Sequence, residues 1–130
     1  MKRKIMSTTI HAALLSMALA GGQAQAQSGK LSGDMVKIGV MNDMSGLYAD
    51  IGGPGSVEAA KMAVADFGGK IFGKPIEVVA ADHQNKPDVG ASKAREWFDA
   101  QGVDMIVDVP TSSVGIAVAK VANEKKRAYM

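Results

Sequence analysis

The feature that most constrains the fold of this 130-residue chain is an alternation of short β-branched runs with stretches of helical periodicity. The alternation fills residues 35–130. Each β-branched run is typical of a strand, and each is followed by a segment whose apolar residues recur every three or four positions. Because strands that alternate with helices are joined by right-handed crossovers, the pattern predicts an α/β fold with a parallel sheet.

The predicted elements follow the order βαβαβα, with a strand stub at the end of the chain. The predicted strands cover residues 35–41, 76–81 and 103–109, and the stub covers 128–130. The buried helix faces are predicted to be Val57, Ala60, Val64 and Phe67; Ala91, Ala94 and Phe98, with Trp97 adjacent; and Val114, Ala117, Val118 and Val121. Three strands and a stub leave the sheet edge open, so we expect a truncated unit of a longer chain.

Residues 1–26 have the order of a secretory signal peptide. A basic start at residues 2–4 precedes the apolar stretch Ile5–Ala20, and Ala24 and Ala26 are the small residues expected before a cleavage site. The alternative is a membrane anchor. The apolar stretch is shorter than the roughly 20 residues that span a bilayer, so cleavage is favoured over anchoring.

Cleavage would change the charge balance of the chain. It leaves 12 basic and 13 acidic residues after a small polar leader, residues 27–34, which is predicted to be flexible. No basic patch then indicates nucleic acid as a partner, and the basic run 125–127 is interpreted as a solvated helix end. The sequence has no cysteine, which excludes disulfides, thiol catalysis and a lipid-bearing N-terminal cysteine. We therefore expect release into a periplasm.

Candidate ligand-binding residues follow the strands, because ligands of open parallel sheets bind beyond the carboxyl ends of the strands. Three loops qualify: residues 42–55, 82–86 and 110–113. In the last of these, Ser112 and Ser113 open a helix, and their hydroxyls together with the unpaired N–H groups suit a carboxylate or a phosphate. On spacing alone, capping of the helix by Thr111 or Ser112 is the simpler interpretation.

Catalytic, nucleotide-binding and metal-binding motifs are not found in the sequence. Gly53 and Gly55 begin a G-x-G-x-x-G pattern, but Glu58 stands where the last glycine is required. Asp82 and His83 follow a strand without the spacing of metal ligands, and His83 is interpreted as a solvated loop residue. We expect no cofactor and no metal.

Several short motifs, in order, resemble those of periplasmic solute-binding proteins of the branched-chain amino acid (Leu/Ile/Val-binding) type of ABC transporters. The matching segments are Val36–Val40, Met44–Gly46, Gly73–Val79, Gly102–Val107 and Ser112–Ser113. The resemblance implies a type I periplasmic binding protein lobe of α/β fold. Residues 35–130 would be the first part of its N-terminal ligand-binding lobe, and the second lobe would be absent.

The resemblance also implies a function and a set of site residues. The function is that of an extracytoplasmic receptor that binds a small carboxylate-bearing solute, such as a branched-chain amino acid, and delivers it to an ABC permease complex in the inner membrane. The implied ligand-binding residues are Ser112, Ser113, Thr111, Ser45, Tyr48 and Ile51. Ser112 would offer its hydroxyl to the α-carboxylate, Tyr48 and Ile51 would line the pocket, and Ser45 would shape a turn.

Alternative functions remain open from the sequence. Receptors of the same general type also take aromatic acids, amides or urea. An exported α/β enzyme with catalytic residues downstream is a different class, but the chain lacks the G-x-S-x-G nucleophile elbow that would indicate a hydrolase. A sensor domain of the same fold is a third class. We expect a binding protein and not an enzyme.

Overall fold

The computed structural model describes residues 33–130, and the predicted signal peptide lies outside the described residues. The described part contains a five-stranded sheet and three α-helices. In chain order the elements are β1 (Val36–Asn42), α1 (Gly53–Asp66), β2 (Lys70–Ile71), β3 (Lys74–Asp82), α2 (Pro87–Glu96), a π-helical turn (Trp97–Gln101), β4 (Met105–Val107), α3 (Ser112–Lys125) and β5 (Ala128–Tyr129).

The strands lie in the order β2-β3-β1-β4-β5, and all neighbours except β2 and β3 are parallel. The predicted α/β fold with its parallel sheet and final strand is therefore confirmed. The sheet also contains one antiparallel pair that the sequence did not predict, because the short strand β2 pairs with the start of β3. Two residues are too few to show an alternating pattern, and the turn between these strands uses left-handed backbone at Phe72 and Gly73.

The third predicted strand is longer than the observed one. β4 has three residues, whereas the prediction began at Val103 and ended at Val109. Val103 and Val109 are both buried, so their apolar character reflects core packing rather than membership of the strand. The left-handed backbone at Asp108, with φ 57°, ends the regular strand before Val109.

The order of the strands reverses at β1. The chain moves from β1 to β3 in one direction, and then from β3 past β1 to β4 and β5 in the other. Right-handed crossovers therefore place α1 on one face of the sheet and both α2 and α3 on the opposite face. The reversal point lies between the neighbouring strands β1 and β4, where ligand crevices form in open sheets.

The hydrophobic core lies between the sheet and the α2–α3 pair. Its members are Met41, Ala94, Trp97, Phe98, Val103, Ile106, Val109, Val114, Val118, Val121 and Ala122. Helices α2 and α3 approach closely at Gly90, where a Cβ would be only 2.5 Å from Cγ1 of Val114. The predicted buried faces of these two helices are confirmed, with Ala91 and Ala117 only partly buried.

The predicted buried face of α1 is only partly correct. Val57 is buried and Ala60 and Val64 are half-buried, but Phe67 is 64% exposed. Phe67 follows the last residue of α1 and is its C-cap, and its N–H bonds back to Ala63. The apolar period thus continues one residue past the part of the helix that the sheet covers.

The basic run near the end of α3 is partly neutralised within the protein. Lys125 Nζ lies 2.7 Å from a carboxylate oxygen of Asp99, and Arg127 lies 3.6 Å from Asp104. Exposed ion pairs of this kind contribute only about 0–1 kcal/mol to stability. Their arrangement agrees with the interpretation of a solvated helix end.

Candidate ligand-binding site

A cleft with a volume of about 580 Å³ opens beside the reversal point of the sheet. This volume falls in the range of roughly 300–1,000 Å³ that is typical of small-molecule sites. All three predicted loops contribute to its walls. The lining residues are Tyr48, Ile51, Gly52, Asn85, Pro110, Thr111, Ser112 and Ser113.

The amino end of α3 forms one wall of the cleft. The first backbone hydrogen bond of the helix runs from Gly115 N–H to Thr111 O, so the N–H groups of the first turn before it have no helical acceptor. Thr111 is the N-cap residue, but its side chain makes no capping bond. The capping interpretation is therefore wrong for Thr111, and its buried Oγ1 has no hydrogen-bond partner among the described residues.

The turn before α3 is tied to the end of β1. Asn42 is fully buried, and its Nδ2 donates to the carbonyl and the carboxylate oxygen of Asp108, at 3.3 and 3.1 Å. The same side chain accepts the N–H of Asp43 through Oδ1. One amide therefore joins the two strands across the reversal point and holds Asp108 in its left-handed conformation.

The loop after β1 is organised by a buried carboxylate. Asp43 is fully buried, and its two oxygens accept the N–H groups of Gly46 at 2.8 Å and of Tyr48 at 3.1 Å. These bonds fold the loop so that Tyr48 and Ile51 reach the cleft. Tyr48 offers an aromatic ring and a hydroxyl, whereas Ile51, at 78% exposure, offers an apolar surface.

Ser45 does not line the cleft. Its hydroxyl donates to a carboxylate oxygen of Asp82 at 2.6 Å, and the other oxygen of Asp82 accepts the N–H of Met44. Ser45 therefore has the turn-shaping position that was expected of it, but the structure does not bring it to the other candidate ligand-binding residues. Burial raises the pKa of Asp82, yet the hydrogen bonds from Ser45, Met44 and Gln84 outweigh it and leave the pKa lowered.

The loop after β3 brings Asn85 to the cleft through a buried histidine. His83 is fully buried, so the interpretation as a solvated loop residue is wrong. Its Nδ1 accepts the N–H of Asn85 at 2.9 Å, which places the ring proton of neutral His83 on Nε2. Burial lowers the pKa of His83, against the opposing effect of the nearby carboxylates of Asp43 and Asp82.

The structure brings together five of the six predicted site residues, namely Tyr48, Ile51, Thr111, Ser112 and Ser113. It adds Asn85, which lies in one of the three candidate loops but was not predicted as a site residue. The buried supports were also missed. An Asn-Asp pair directly after a strand, with a glycine three residues after the aspartate, is the sequence signal that could have indicated the loop anchored by Asp43.

The chemistry of the cleft is neutral and polar on one side and apolar on the other. No side chain lining it within residues 33–130 carries a formal charge at neutral pH. An anion would be held by hydroxyls, by an amide and by the positive end of α3. The described part of the chain contains no cluster of potential metal ligands, and it contains no helix long and apolar enough to cross a membrane.

A mainly parallel sheet with helices on both faces, and a neutral cleft at its reversal point, defines this unit as an α/β domain of the class that places small-molecule sites at the reversal point of the sheet. The sequence profile of the family described as periplasmic binding protein matches residues 35–130. The chain belongs to this family. The membership confirms the family to which the short motifs pointed, and the fold matches the type I periplasmic binding protein fold that the resemblance implied.

Solved structures with the same fold give more detail. A periplasmic binding protein from Burkholderia mallei is 62% identical, with a TM-score of 0.72 over 74% of this chain and 26% of that one. A branched-chain amino acid ABC transporter periplasmic ligand-binding protein from Burkholderia xenovorans is 47% identical, with a TM-score of 0.71 over 73% and 25%. A solute-binding protein of an ABC transporter from Rhodopseudomonas palustris, in complex with 3,4-dihydroxybenzoic acid, is 26% identical, with a TM-score of 0.67 over 75% and 26%.

The chain spans about a quarter of the length of these structures. A comparison with curated proteins gives no match. The similar structures are binding proteins and not enzymes, in agreement with the expectation from the sequence.

Proposed function

We propose that the chain forms part of the first lobe of a solute receptor of an ABC importer, and that the cleft at the amino end of α3 binds the carboxylate of a small solute. The observation that carries the proposal is the group of donors at this helix end. Thr111, Ser112 and Ser113 all line the cleft, and the N–H groups of the first turn precede the first helical hydrogen bond. Donors of this kind stabilise an anion without a cationic side chain.

The solute class follows from the two walls of the cleft. The donors suit a carboxylate, and Tyr48 and Ile51 suit an apolar or aromatic body next to it. Branched-chain amino acids and hydroxybenzoates share this chemistry, and both classes occur in the descriptions of similar structures. An ammonium group is best met by an acidic side chain, and none lines this cleft within residues 33–130, so that partner would come from another part of the receptor.

The location and the partner follow from the family. The receptor would act in the periplasm, would be exported by the segment of residues 1–26, and would deliver its solute to a permease complex in the inner membrane. Periplasmic binding proteins close two lobes around a solute by a hinge motion. The cleft described here would be one of the two surfaces that close.

The test compares Ser112→Ala with wild type in the whole protein, by isothermal titration calorimetry with leucine and with 3,4-dihydroxybenzoate. Whichever of the two probes binds to wild type should bind to Ser112→Ala more weakly by about 1–3 kcal/mol, because the substitution removes a hydrogen-bond donor from a desolvated carboxylate. Ser92→Ala is the matched control, since Ser92 is an exposed serine of α2 that does not line the cleft. Equal affinities of wild type and Ser112→Ala would refute the assigned role.

A further inference from the structure

The strongest unexplained feature is a fully buried pair of titratable residues behind the cleft. Asp43 and His83 are both inaccessible to solvent, and neither lines the cleft itself. The backbone N–H of His83 donates to the carbonyl of Asn42 at 2.9 Å, which fixes the residue at the end of β3. Its Nε2 is buried and has no hydrogen-bond partner among the described residues.

The ring of His83 supports a strained segment of the cleft wall. Gln84 and Asn85 both have left-handed backbone, with φ of 52° and 56°. Such conformations cost roughly 1–3 kcal/mol for residues other than glycine, so contacts must hold them. Two contacts do so: Asp82 accepts the N–H of Gln84 at 2.7 Å, and Nδ1 of His83 accepts the N–H of Asn85 at 2.9 Å.

We propose that His83 is a positioning residue for solute binding, whose neutral ring holds Asn85 in the cleft wall and whose protonated ring releases it. The reason is the number of hydrogen-bond acceptors on the ring in each protonation state. Neutral His83 has one acceptor nitrogen, Nδ1, and the N–H of Asn85 uses it. Protonated histidine has two donors and no acceptor, so the Asn85 N–H would then face another N–H group.

The groups around the ring of His83 determine the pH at which it becomes protonated. The carboxylates of Asp43 and Asp82 face it and favour the protonated form, while burial disfavours that form more strongly and lowers the pKa of His83. From α2, the residue packed against His83 is Gly90, which has no titratable side chain, and Val114 of α3 packs against Gly90. A Cβ on Gly90 would lie 3.7 Å from Cβ of His83 and 2.5 Å from Val114. The ring is therefore neutral at pH 7, and release occurs on acidification.

Two substitutions separate the role of His83 as a hydrogen-bond acceptor from the protonation of its ring. In His83→Asn, the side-chain Oδ1 can accept the N–H of Asn85 but does not titrate. In His83→Leu, the volume is similar and the acceptor is lost. If the support were merely steric, His83→Leu would hold the loop and the smaller His83→Asn would not, which is the opposite of the order expected for a hydrogen-bond acceptor.

The first measurement is amide hydrogen exchange at Asn85 in the whole protein without solute, corrected for the intrinsic pH dependence of exchange. We expect protection in wild type to fall by about tenfold as the pH is lowered from 7.5 and His83 becomes protonated, down to the lowest pH at which the protein stays folded, which is the effect of losing one hydrogen bond. We expect constant protection in His83→Asn and low protection at all pH values in His83→Leu. Protection in wild type that does not change with pH would overturn the proposal. If the Leu variant does not fold, protection in His83→Asn that falls with acid as in wild type would overturn it as well.

The second measurement is affinity for the same two probes, leucine and 3,4-dihydroxybenzoate, over the same pH range. This step rests on the proposed function. We expect affinity to weaken about tenfold on acidification in wild type and to stay level in His83→Asn. Affinity with the same pH profile in both proteins would overturn the positioning role. Because exchange is measured without solute, a failure of both probes to bind counts against the proposed function, and exchange then decides alone on His83.

Discussion

The indole ring of Trp97 lies directly against the α-carbon of Gly39, so closely that a Cβ at residue 39 would stand 2.3 Å from Cζ3 of the ring. Gly39 is in the middle of β1, and Trp97 begins the π-helical turn after α2. The missing side chain at Gly39 lets this turn lie flat on the sheet. The contact therefore sets the distance between the central strand and α2, the helix that begins just after the Asn85 loop.

Gly39→Ala should destabilise the protein by about 1–3 kcal/mol, because a rigid, 2%-exposed indole has no room to move away from a new methyl group. Thermal unfolding followed by circular dichroism measures the effect. Gly55→Ala is the matched control, since a Cβ there has no neighbour within 4 Å and the residue lies in α1. The control should be stabilised by about 0.5–1 kcal/mol. Equal effects of the two alanines would contradict the contact.

Asp43→Asn should destabilise the loop after β1. Both carboxylate oxygens of Asp43 accept backbone N–H groups, from Gly46 and Tyr48, and an amide would turn its NH₂ group toward one of these donors. We expect a loss of about 1–3 kcal/mol in urea unfolding, the cost of an unsatisfied buried group. Asp50→Asn, an exposed aspartate of the same loop, should leave the midpoint unchanged. An unchanged midpoint for Asp43→Asn would contradict the anchoring role.

Thr111→Val should have opposite effects on stability and on binding. The Oγ1 atom of Thr111 is buried without a partner among the described residues, so replacing it by a methyl group should stabilise the solute-free protein by about 1 kcal/mol. The same change removes a donor from the cleft and should weaken solute binding. Differential scanning calorimetry and titration calorimetry measure the two effects. Thr111→Ser, which keeps the hydroxyl, should retain binding, and a destabilised Thr111→Val would argue for a hidden partner of this atom.

Acid should destabilise the protein in two steps. Burial lowers the pKa of His83, so the unfolded chain binds more protons than the folded one once the pH falls below the ordinary histidine value of 6.5. Stability is then lost from about pH 6.5 down to the lowered pKa of His83. The pKa of Asp82 is also lowered, from an ordinary value of 3.8. A second loss of stability therefore occurs as the pH falls from about 3.8 to the lowered pKa of Asp82.

Urea unfolding at a series of pH values checks this prediction. The first step should disappear in His83→Asn, which has no titrating ring, while the second step should persist. Ser45→Ala provides the complementary control, because it removes the hydroxyl that donates to Asp82 at 2.6 Å and should weaken the second step alone. If the loss of stability below pH 6.5 persists in His83→Asn, a group other than His83 causes it.

The elements predicted from the sequence were those with a strong local signal. β1, α2 and α3 carry unbroken apolar periods, and Pro87 and Gly102 mark the two ends of the second helical segment. β2 could not be predicted, because two residues carry no period. The length of β4 could not be predicted either, because the core buries Val103 and Val109 without extending the strand.

The residues of the candidate site also fall into a group that the sequence predicts and a group that it does not. The donors at the start of α3 are contiguous in sequence, so their grouping around Ser112 was predictable. His83 and Asn42 were not predictable as buried supports, because their burial depends on contacts with residues distant in the chain. The Asn42 side chain reaches Asp108, which is 66 positions away, and a pattern within one loop cannot reveal such a partner.

That long-range amide has a consequence for the energetics of recognition. By joining the ends of β1 and β4, Asn42 sets the spacing of two opposing loops during folding itself. The loops are then already ordered before a solute binds, so less conformational entropy is lost on binding and the affinity is higher. In the proposed receptor, this part of the first lobe would be a preorganised floor, and selectivity among solutes would come from the surface that closes over it.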